Sequence, residues 1–164
     1  MARTSAGLLL YRRNSGGDLE VLLVHPGGPI WAHRDAGSWS IPKGEYTPGE
    51  DPAARAEVEF VEEIGQPPPP GRRVDLGEIV QAGGKRVRAW AVGGDVDVTT
   101  VTSNEFEMEW PPRSGQRQTF PEVDRAAWFT LPHARAKLNV GQLPLLDRLP
   151  DAITTDDHLG PCGG

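Results

Sequence analysis

Three glutamates on one side of a predicted helix constrain this 164-residue chain more than any other feature. Glu59, Glu62 and Glu63 are spaced i, i+3 and i+4, and with about 3.6 residues per helical turn they project to the same side. Like charges at this spacing repel each other and destabilise an isolated helix. A hard divalent cation, which prefers several oxygen ligands, would reverse that repulsion. This acidic stripe therefore predicts a metal-binding helix.

The residues around the acidic stripe set the limits of the predicted helix. Asp51 is a suitable N-cap residue, and Pro52 suits the first helical turn. Gly65 can end the helix in the left-handed conformation. We therefore predict a helix from Pro52 to Ile64, with the glutamates opposite the core. The predicted core side consists of Ala53, Ala54, Phe60, Val61 and Ile64.

The segment from Gly44 to Gln66 resembles the Nudix box. That motif is a glycine, five residues, a glutamate, seven residues, an Arg-Glu pair, a bulky aliphatic residue, any residue, a Glu-Glu pair, any residue, a glycine and an aliphatic residue. Val58 replaces the motif arginine, Gln66 replaces the last aliphatic residue, and Phe60 is bulky and apolar. Six fixed positions match, which is improbable by chance. They are Gly44, Glu50, Glu59, Glu62, Glu63 and Gly65.

The resemblance implies a fold, a reaction and a metal site. The fold is an α/β/α sandwich on a mixed β-sheet. The reaction is hydrolysis of a pyrophosphate bond in a nucleoside diphosphate linked to another moiety, with Mg²⁺ or Mn²⁺ activating the attacking water. Glu59, Glu62 and Glu63 would hold the metal together with the backbone carbonyl of Lys43.

The resemblance also implies an acidic residue outside the box. In this family it often lies in a loop shortly before a strand that contains tryptophan, and Glu122 stands six positions before Trp128. Glu122 is therefore a further candidate ligand, with Glu109 as the second choice. The catalytic candidates are Glu59, Glu63 and Glu122, and either Glu59 or Glu122 is the general base. Three residues would support the motif geometry instead: Gly44, Glu50 and Gly65.

The valine at position 58 raises a question about activity. In the family, the arginine at this position braces the metal ligands by pairing with a carboxylate. Val58 cannot form such a pair, but Arg55 lies one turn before Glu59 on the acidic stripe. We hypothesise that Arg55 partly substitutes for the motif arginine as the brace of the metal ligands. The alternative is an impaired box, in a slow enzyme or in a nucleotide-binding or regulatory module.

Positively charged residues are candidates for binding the phosphate groups of a substrate. Lys43 is adjacent to Gly44, and its Pro-Lys-Gly context looks like that of Nudix hydrolases of dinucleoside polyphosphates. We therefore favour those substrates over nucleoside triphosphates and nucleotide sugars. Arg113 and Arg117 flank a Ser-Gly pair in a predicted loop and suit a mobile phosphate clamp. Weaker candidate cations are Arg34, Lys85 and Arg86, and candidates for stacking on a base are Trp31, Trp110 and His25.

The remaining sequence predicts strands, with two further segments of helical spacing, Leu131–Leu138 and Leu143–Leu149. We expect one domain over residues 1–153 and a flexible tail over 154–164, because the last residues are polar and Gly-rich. The predicted strands are Ser5–Arg13, Leu19–His25, Trp39–Pro42, Val74–Gln81, Lys85–Val92, Glu105–Trp110 and Arg125–Leu131.

Charge and composition argue against several classes of protein. With 17 Lys and Arg against 23 Asp and Glu, the net charge of −6 is unlike that of a general nucleic-acid binder. The apolar runs are too short for a transmembrane helix, and the N-terminus has no signal-peptide core. Cys162 is the single cysteine, so an intrachain disulfide is excluded and a reducing cytoplasm fits. We expect a phosphorylated small-molecule substrate, a nucleotide by preference, bound by a monomer or a homodimer.

Overall fold

The computed structural model describes residues 3–159, with side chains to residue 154. Within this range the chain forms strands and helices that follow the predicted order closely. The strands are β1 (Thr4–Arg13), β2 (Leu19–Pro26), β3 (Lys43–Glu45), β4 (Val74–Val80), β5 (Arg86–Gly93), β6 (Glu105–Glu109), β7 (Arg117–Pro121) and β8 (Val123–Thr130). The α-helices are α1 (Pro52–Ile64), α2 (Leu131–Lys137) and α3 (Leu143–Leu159).

The main sheet is mixed, with the strand order β4-β5-β1-β2-β8. β1 runs parallel to β5 and antiparallel to β2, and the short β3 also pairs with β1. Successive side chains of β1 point to opposite faces of the sheet. Leu8 and Leu10 belong to the cluster that contains Phe60 of α1, whereas Leu9 belongs to the cluster that contains Leu146 of α3. The predicted α/β/α sandwich is confirmed.

Helix α1 has the predicted limits because both ends are capped. Oδ1 of Asp51 accepts a hydrogen bond from the Ala53 N–H at 3.2 Å. At the other end Gly65 adopts a left-handed conformation, and its N–H donates to the Val61 carbonyl at 2.8 Å. A Cβ on residue 65 would lie 2.4 Å from the Thr102 carbonyl oxygen, so glycine also permits close packing here.

The predicted core side of α1 is partly wrong. Ala54 and Val61 are exposed, and Val58 is also 44% exposed. The buried residues of the helix are Ala56, Glu59, Phe60 and Ile64. The helix is rotated toward its glutamates because β3 and the sheet cover that side as well. The acidic stripe is therefore not a solvated face.

Two strand predictions also differ from the structure. Trp39–Pro42 forms only isolated bridges, Val24 with Ser40 and Trp39 with Leu138, and the regular strand begins at Lys43. Pro42 has no N–H to donate to a ladder. The sequence did not predict β7, which pairs with β6 in a separate two-stranded sheet. We call this unit, residues 105–121, the hairpin.

The C-terminal helix is longer than predicted. It continues past Leu149 to Leu159 and includes Pro150, so the predicted flexible tail overlaps helical backbone. The rest of that tail, with Cys162, lies outside the described residues, and the domain limit at residue 153 stays a prediction. None of the described helices is long and apolar enough to cross a membrane.

Candidate active site

β3 and α1 are in close contact at Gly44 and Glu59. A Cβ atom on residue 44 would lie 1.9 Å from Cδ of Glu59, far inside van der Waals contact. Gly7 of β1 permits a second close approach, since a Cβ there would lie 2.4 Å from the Pro42 carbonyl oxygen. The two glycines allow β3, a strand of the main sheet, to pack closely against α1, and Glu59 is only 7% exposed.

Arg55 is the cation of the acidic stripe. Its Nε donates to Oε1 of Glu59 at 2.9 Å, and its Nη2 donates to the same oxygen. The guanidinium also lies 3.7 Å from Oε2 of Glu62 and 3.9 Å from Oε2 of Glu50. These contacts are those that a brace requires, while the exposed Val58 makes no such contribution. The bracing role itself stays a prediction.

Two other motif positions fix loops beside α1. Oε1 of Glu50 accepts hydrogen bonds from the Thr47 N–H at 2.9 Å and the Thr47 hydroxyl at 3.1 Å, and these bonds lower the pKa of Glu50. Nε2 of Gln66 donates to the Asp97 carbonyl at 2.8 Å and to Oγ1 of Thr100 at 3.1 Å. The polar residue at the last motif position therefore ties the end of α1 to a neighbouring turn.

Glu63 faces Lys43 between α1 and β3. The Lys43 backbone N–H donates to Oε2 of Glu63 at 2.7 Å. Desolvation by burial raises the pKa of Glu63 to about 8; the charges of Glu59 and Glu122 act in the same direction, and Lys43 opposes them. Burial also lowers the pKa of Lys43, and nearby Lys85 adds to that effect. An additional positive charge beside Glu63 is therefore favourable.

Glu122 is brought beside Glu62 by a series of backbone hydrogen bonds. The Asn104 N–H donates to the Glu62 carbonyl at 2.7 Å, and the Asn104 carbonyl accepts from the Glu122 N–H at 2.8 Å. The Gly27 N–H then donates to the Glu122 carbonyl at 2.9 Å. Only glycine fits at position 27, because a Cβ would lie 2.0 Å from the Pro121 carbonyl oxygen. Burial and then the charge of Glu62 raise the pKa of Glu122.

The donor set formed by these carboxylates suits a divalent cation. Glu59, Glu62, Glu63 and Glu122 supply only oxygen atoms, which Mg²⁺ and Mn²⁺ prefer. Burial raises the pKa of Glu59, Glu63 and Glu122, and repulsion from neighbouring carboxylates adds to each shift. Among residues 3–159, no three His, Cys, Asp or Glu side chains already stand at coordination distance from one point. The glutamates would therefore bind a cation by adjusting their side chains.

Three adjoining cavities surround this group. The carboxylate pocket, of about 140 Å³, is lined by Ser40, Lys43, Glu63 and Glu122 among others. The apolar pocket, of about 240 Å³, is lined chiefly by Ile30, Trp31, Phe106 and Met108. The lysine recess, of about 250 Å³, includes Trp31, Ser40, Lys43, Gln81, Lys85 and Gln142. Glu122 lines the first two cavities and Lys43 lines the first and third, so the cavities adjoin one another at these two side chains.

The structure brings some predicted substrate-binding residues to this region. Lys43 lies between two of the cavities, and Trp31 lines the apolar pocket. The guanidinium carbon of Arg34 lies 5.4 Å from the ring centre of Trp31, at the edge of the site. His25 cannot stack on a base, because it is fully buried. Its ring nitrogens instead contact Oδ1 of Asp124 at 2.8 Å and the Arg34 carbonyl at 2.6 Å.

Other predicted residues lie away from the carboxylates. Arg113, with a φ of 62°, is in the tight turn of the hairpin, and Arg117 begins β7 opposite Glu109. Four residues of strand, about 13 Å, separate this end of the hairpin from the end near Glu122. Trp110 follows Glu109 at the same far end. The positions of these residues do not support a phosphate clamp, a fourth ligand at Glu109 or stacking by Trp110.

Several residues of the site were missed by sequence reasoning. Glutamates alternate with apolar residues along β6, and the apolar face of the strand supplies Phe106 and Met108 to the apolar pocket. Asn104 acts through its backbone, and backbone contacts leave no signal in residue type. Gln142 is polar but only 1% exposed, and its neighbours gave no indication of that burial.

The sequence matches the family model described as NUDIX domain over residues 1–149. No curated protein sequence matches the chain. The family match covers nearly all of the described residues, including β3, α1 and the segment that carries Glu122.

Solved structures show the same fold. The Caenorhabditis elegans protein in "Crystal Structure of a C. elegans Ap4A Hydrolase Binary Complex" is 20% identical, with a TM-score of 0.63 over 92% of this chain and 98% of that one. A mutT/nudix family protein from Listeria innocua is 19% identical, with a TM-score of 0.61 over 96% and 97% of the two chains. The NUDIX domain of Shewanella oneidensis NrtR, solved with ADP ribose, is 15% identical, with a TM-score of 0.62 over 93% and 89%. At these identities the likeness establishes the fold alone.

Proposed function

This chain belongs to the NUDIX domain family, and from that premise we propose that it is a Mg²⁺- or Mn²⁺-dependent hydrolase. Its substrate would be a nucleoside diphosphate linked to another moiety, and the bond cleaved would be a pyrophosphate bond. One observation carries the proposal: Glu63 of α1 and Glu122 of the segment before β8 line one pocket with Lys43, although the two carboxylates repel each other. A bound cation would make such an arrangement of ionised carboxylates favourable.

Each carboxylate has a role that fits its surroundings. Glu59, Glu62 and Glu63 would hold the cation, with the Lys43 carbonyl as a further ligand. When bound, the cation lowers the pKa of a coordinated water and neutralises phosphate oxygens. Arg55 and Gly44 confine Glu59, so we assign Glu59 to ligation rather than proton transfer.

Glu122 is the better candidate for the general base. It lines both the carboxylate pocket and the apolar pocket, and burial raises its pKa toward neutrality. In the proposed reaction, a carboxylate oxygen of Glu122 accepts a proton from the water that attacks phosphorus. The other phosphate of the cleaved bond leaves, and Lys43 stabilises the negative charge on the phosphate oxygens.

The cavities favour a nucleotide with an extended phosphate chain. Trp31, Phe106 and Met108 offer an apolar surface on which a base can stack. Lys43 lines the carboxylate pocket and also the lysine recess, which is positively charged. Similarity to an Ap4A hydrolase agrees with a dinucleoside polyphosphate, and similarity to a domain solved with ADP ribose keeps a shorter diphosphate substrate in the test panel.

The test is hydrolysis of a panel of nucleoside polyphosphates and ADP-ribose in Mg²⁺ or Mn²⁺, with phosphatase coupling to release phosphate from products. We expect turnover that requires metal, and a loss of at least about 100-fold in Glu63→Gln, which removes a ligand charge. Glu57→Gln is the matched control, because Glu57 is on the same helix but pairs with Arg73. Nucleotide binding without turnover in either metal would favour the nucleotide-binding module instead.

A further inference from the structure

The lysine recess is a positively charged cavity in a chain whose net charge is negative. Two lysines, Lys43 and Lys85, reach one cavity, and none of the described residues that line it is acidic. This local positive charge stands against a net charge of −6 for the whole chain. Trp31 forms one wall and Lys43 connects the recess to the carboxylate pocket. The recess is therefore a place where a substrate held at the carboxylates can extend a negatively charged part.

Gln142 links the two segments that carry these lysines. Its Oε1 accepts from the Ile41 N–H at 3.1 Å, and its Nε2 donates to Oγ of Ser40 at 2.9 Å. The same Nε2 also donates to Oε1 of Gln81 at 3.2 Å. Ile41 lies two residues before Lys43, and Gln81 lies at the other end of the turn that carries Lys85. A buried amide with these bonds fixes the distance between the two segments.

Lys85 is presented by a short, closed turn. The Gln81 N–H donates to the Lys85 carbonyl at 2.6 Å, and the Gly84 N–H donates to the Gln81 carbonyl at 3.1 Å. Gly141 allows the neighbouring turn to pack directly on Gln81, because a Cβ there would lie 2.9 Å from Cγ of Gln81. The turn is thus anchored at its base, while the exposed Lys85 side chain is at the edge of the recess.

We propose that the lysine recess binds phosphate groups beyond the cleaved pyrophosphate, and that Lys85 selects substrates with long phosphate chains. The inference rests on the proposed function, because it places the cleaved bond in the carboxylate pocket. From that pocket, the phosphate chain of a bound substrate would pass Lys43 and reach Lys85. The favoured class is a nucleoside or dinucleoside tetraphosphate, whereas ADP-ribose has no phosphate left to reach Lys85. Lysine ammonium groups bind phosphate as point charges and need no fixed orientation.

The experiment compares steady-state kinetics of Lys85→Gln on diadenosine tetraphosphate and on ADP-ribose. We expect KM for the tetraphosphate to rise about 10-fold with little change in kcat, since one charge-assisted contact is lost. KM for ADP-ribose should stay within about 2-fold, and the tetraphosphate effect should shrink in high salt. Arg86→Gln is the matched control, because Arg86 is adjacent but bonds Oε1 of Glu78 at 2.8 Å, outside the recess.

The outcomes separate this inference from the proposed function. Equal effects of Lys85→Gln on both substrates, or no effect on either, overturn the inference while the enzyme stands. If the wild-type protein hydrolyses nothing, the proposed function fails, and the recess is then tested by calorimetric titration with inorganic tripolyphosphate. Binding that weakens about 10-fold in Lys85→Gln but not in Arg86→Gln supports the recess. Absence of binding, or equal weakening in both variants, overturns it.

Discussion

The acidic stripe and the hairpin both carry many charges, but the chain holds these charges in different ways. Glu59 and Glu63 are enclosed by β3, by the Lys43 N–H and by Arg55. In the hairpin, Glu109 and Arg117 face each other across an exposed ladder and border none of the three cavities. A charged residue acquires a chemical role when tertiary packing desolvates it and gives it neighbours of the same sign. Exposed charges of the hairpin kind contribute mainly to solvation.

The largest expected difference between the two regions concerns Glu122 and Glu109. Glu122→Gln removes the proposed general base and should lower kcat by about 100-fold or more. Glu109→Gln, at the far end of the hairpin, should change kcat by less than about 2-fold. Steady-state kinetics of both variants in saturating Mg²⁺ make the comparison. Similar losses in the two variants would mean that the hairpin end takes part in the reaction.

The next comparison uses one glycine from each region. Gly44→Ala introduces a Cβ into the space of the Glu59 carboxyl group, so we expect a loss of about 1–3 kcal/mol in the free energy of unfolding and at least about 10-fold in activity. Gly115→Ala, in the hairpin turn with a φ of 72° and no atom near the added Cβ, should cost about 1 kcal/mol of backbone strain. Its activity should be unchanged. Urea unfolding and kinetics on the same preparations distinguish the two.

Arg55 and Arg117 provide a smaller contrast. Arg55→Ala leaves the buried Glu59 without its guanidinium partner and should reduce activity and apparent Mg²⁺ affinity by about 10-fold. Arg117→Ala removes a guanidinium that lies 4.0 Å from Oε2 of Glu107 on the surface and should change neither quantity beyond about 2-fold. The measurements are Mg²⁺ titrations of activity. If Arg55→Ala behaves like Arg117→Ala, Arg55 is not a brace.

The smallest predicted effect is a pH dependence of stability without metal. Burial raises the pKa of Glu63 from 4.5 to about 8. The folded state therefore keeps a proton that the unfolded state has already released. This contribution to stability is complete below about pH 4.5 and disappears as the pH rises through about 8. Carboxyls whose pKa is lowered, such as Asp35, act below about pH 4 and outside this window.

Thermal unfolding in EDTA tests this pH dependence. The melting temperature should fall by a few degrees between about pH 6 and about pH 9, and Glu63→Gln should flatten the decline. Mg²⁺ should raise the melting temperature most at the alkaline end, where the ligands are ionised. Glu107→Gln, in the hairpin, should retain the wild-type slope. A wild-type melting temperature that rises over this interval would show that the sign is wrong.

The sequence was informative where function requires fixed spacing along one element. The limits of α1 followed from Asp51, Pro52 and Gly65, because caps and left-handed turns are local. The contact between Arg55 and Glu59 followed from their i, i+4 spacing. The position of Glu122 was the one long-range placement that the family resemblance provided, and the structure places it in the same pocket as Glu63.

Features that depend on packing between distant segments could not be predicted. Spacing alone wrongly placed Ala54 and Val61 on the core side, because β3 covers the side of α1 that carries the glutamates. The role of Gln142 depends on contacts with residues about 60 and 100 positions away. The supposed loop of Arg113 and Arg117 is a hairpin turn at Arg113 followed by strand β7 from Arg117. Strand β7 was missed because it begins with exposed polar residues that resemble a loop.

The most direct measurement is an anomalous difference map from a crystal soaked in Mn²⁺. We expect a peak at coordination distance from carboxylate oxygens of Glu63 and at least one of Glu59, Glu62 and Glu122, and no peak at the hairpin glutamates. A map without a peak at the acidic stripe, or with Mn²⁺ bound at Glu107 or Glu109 instead, would contradict this expectation.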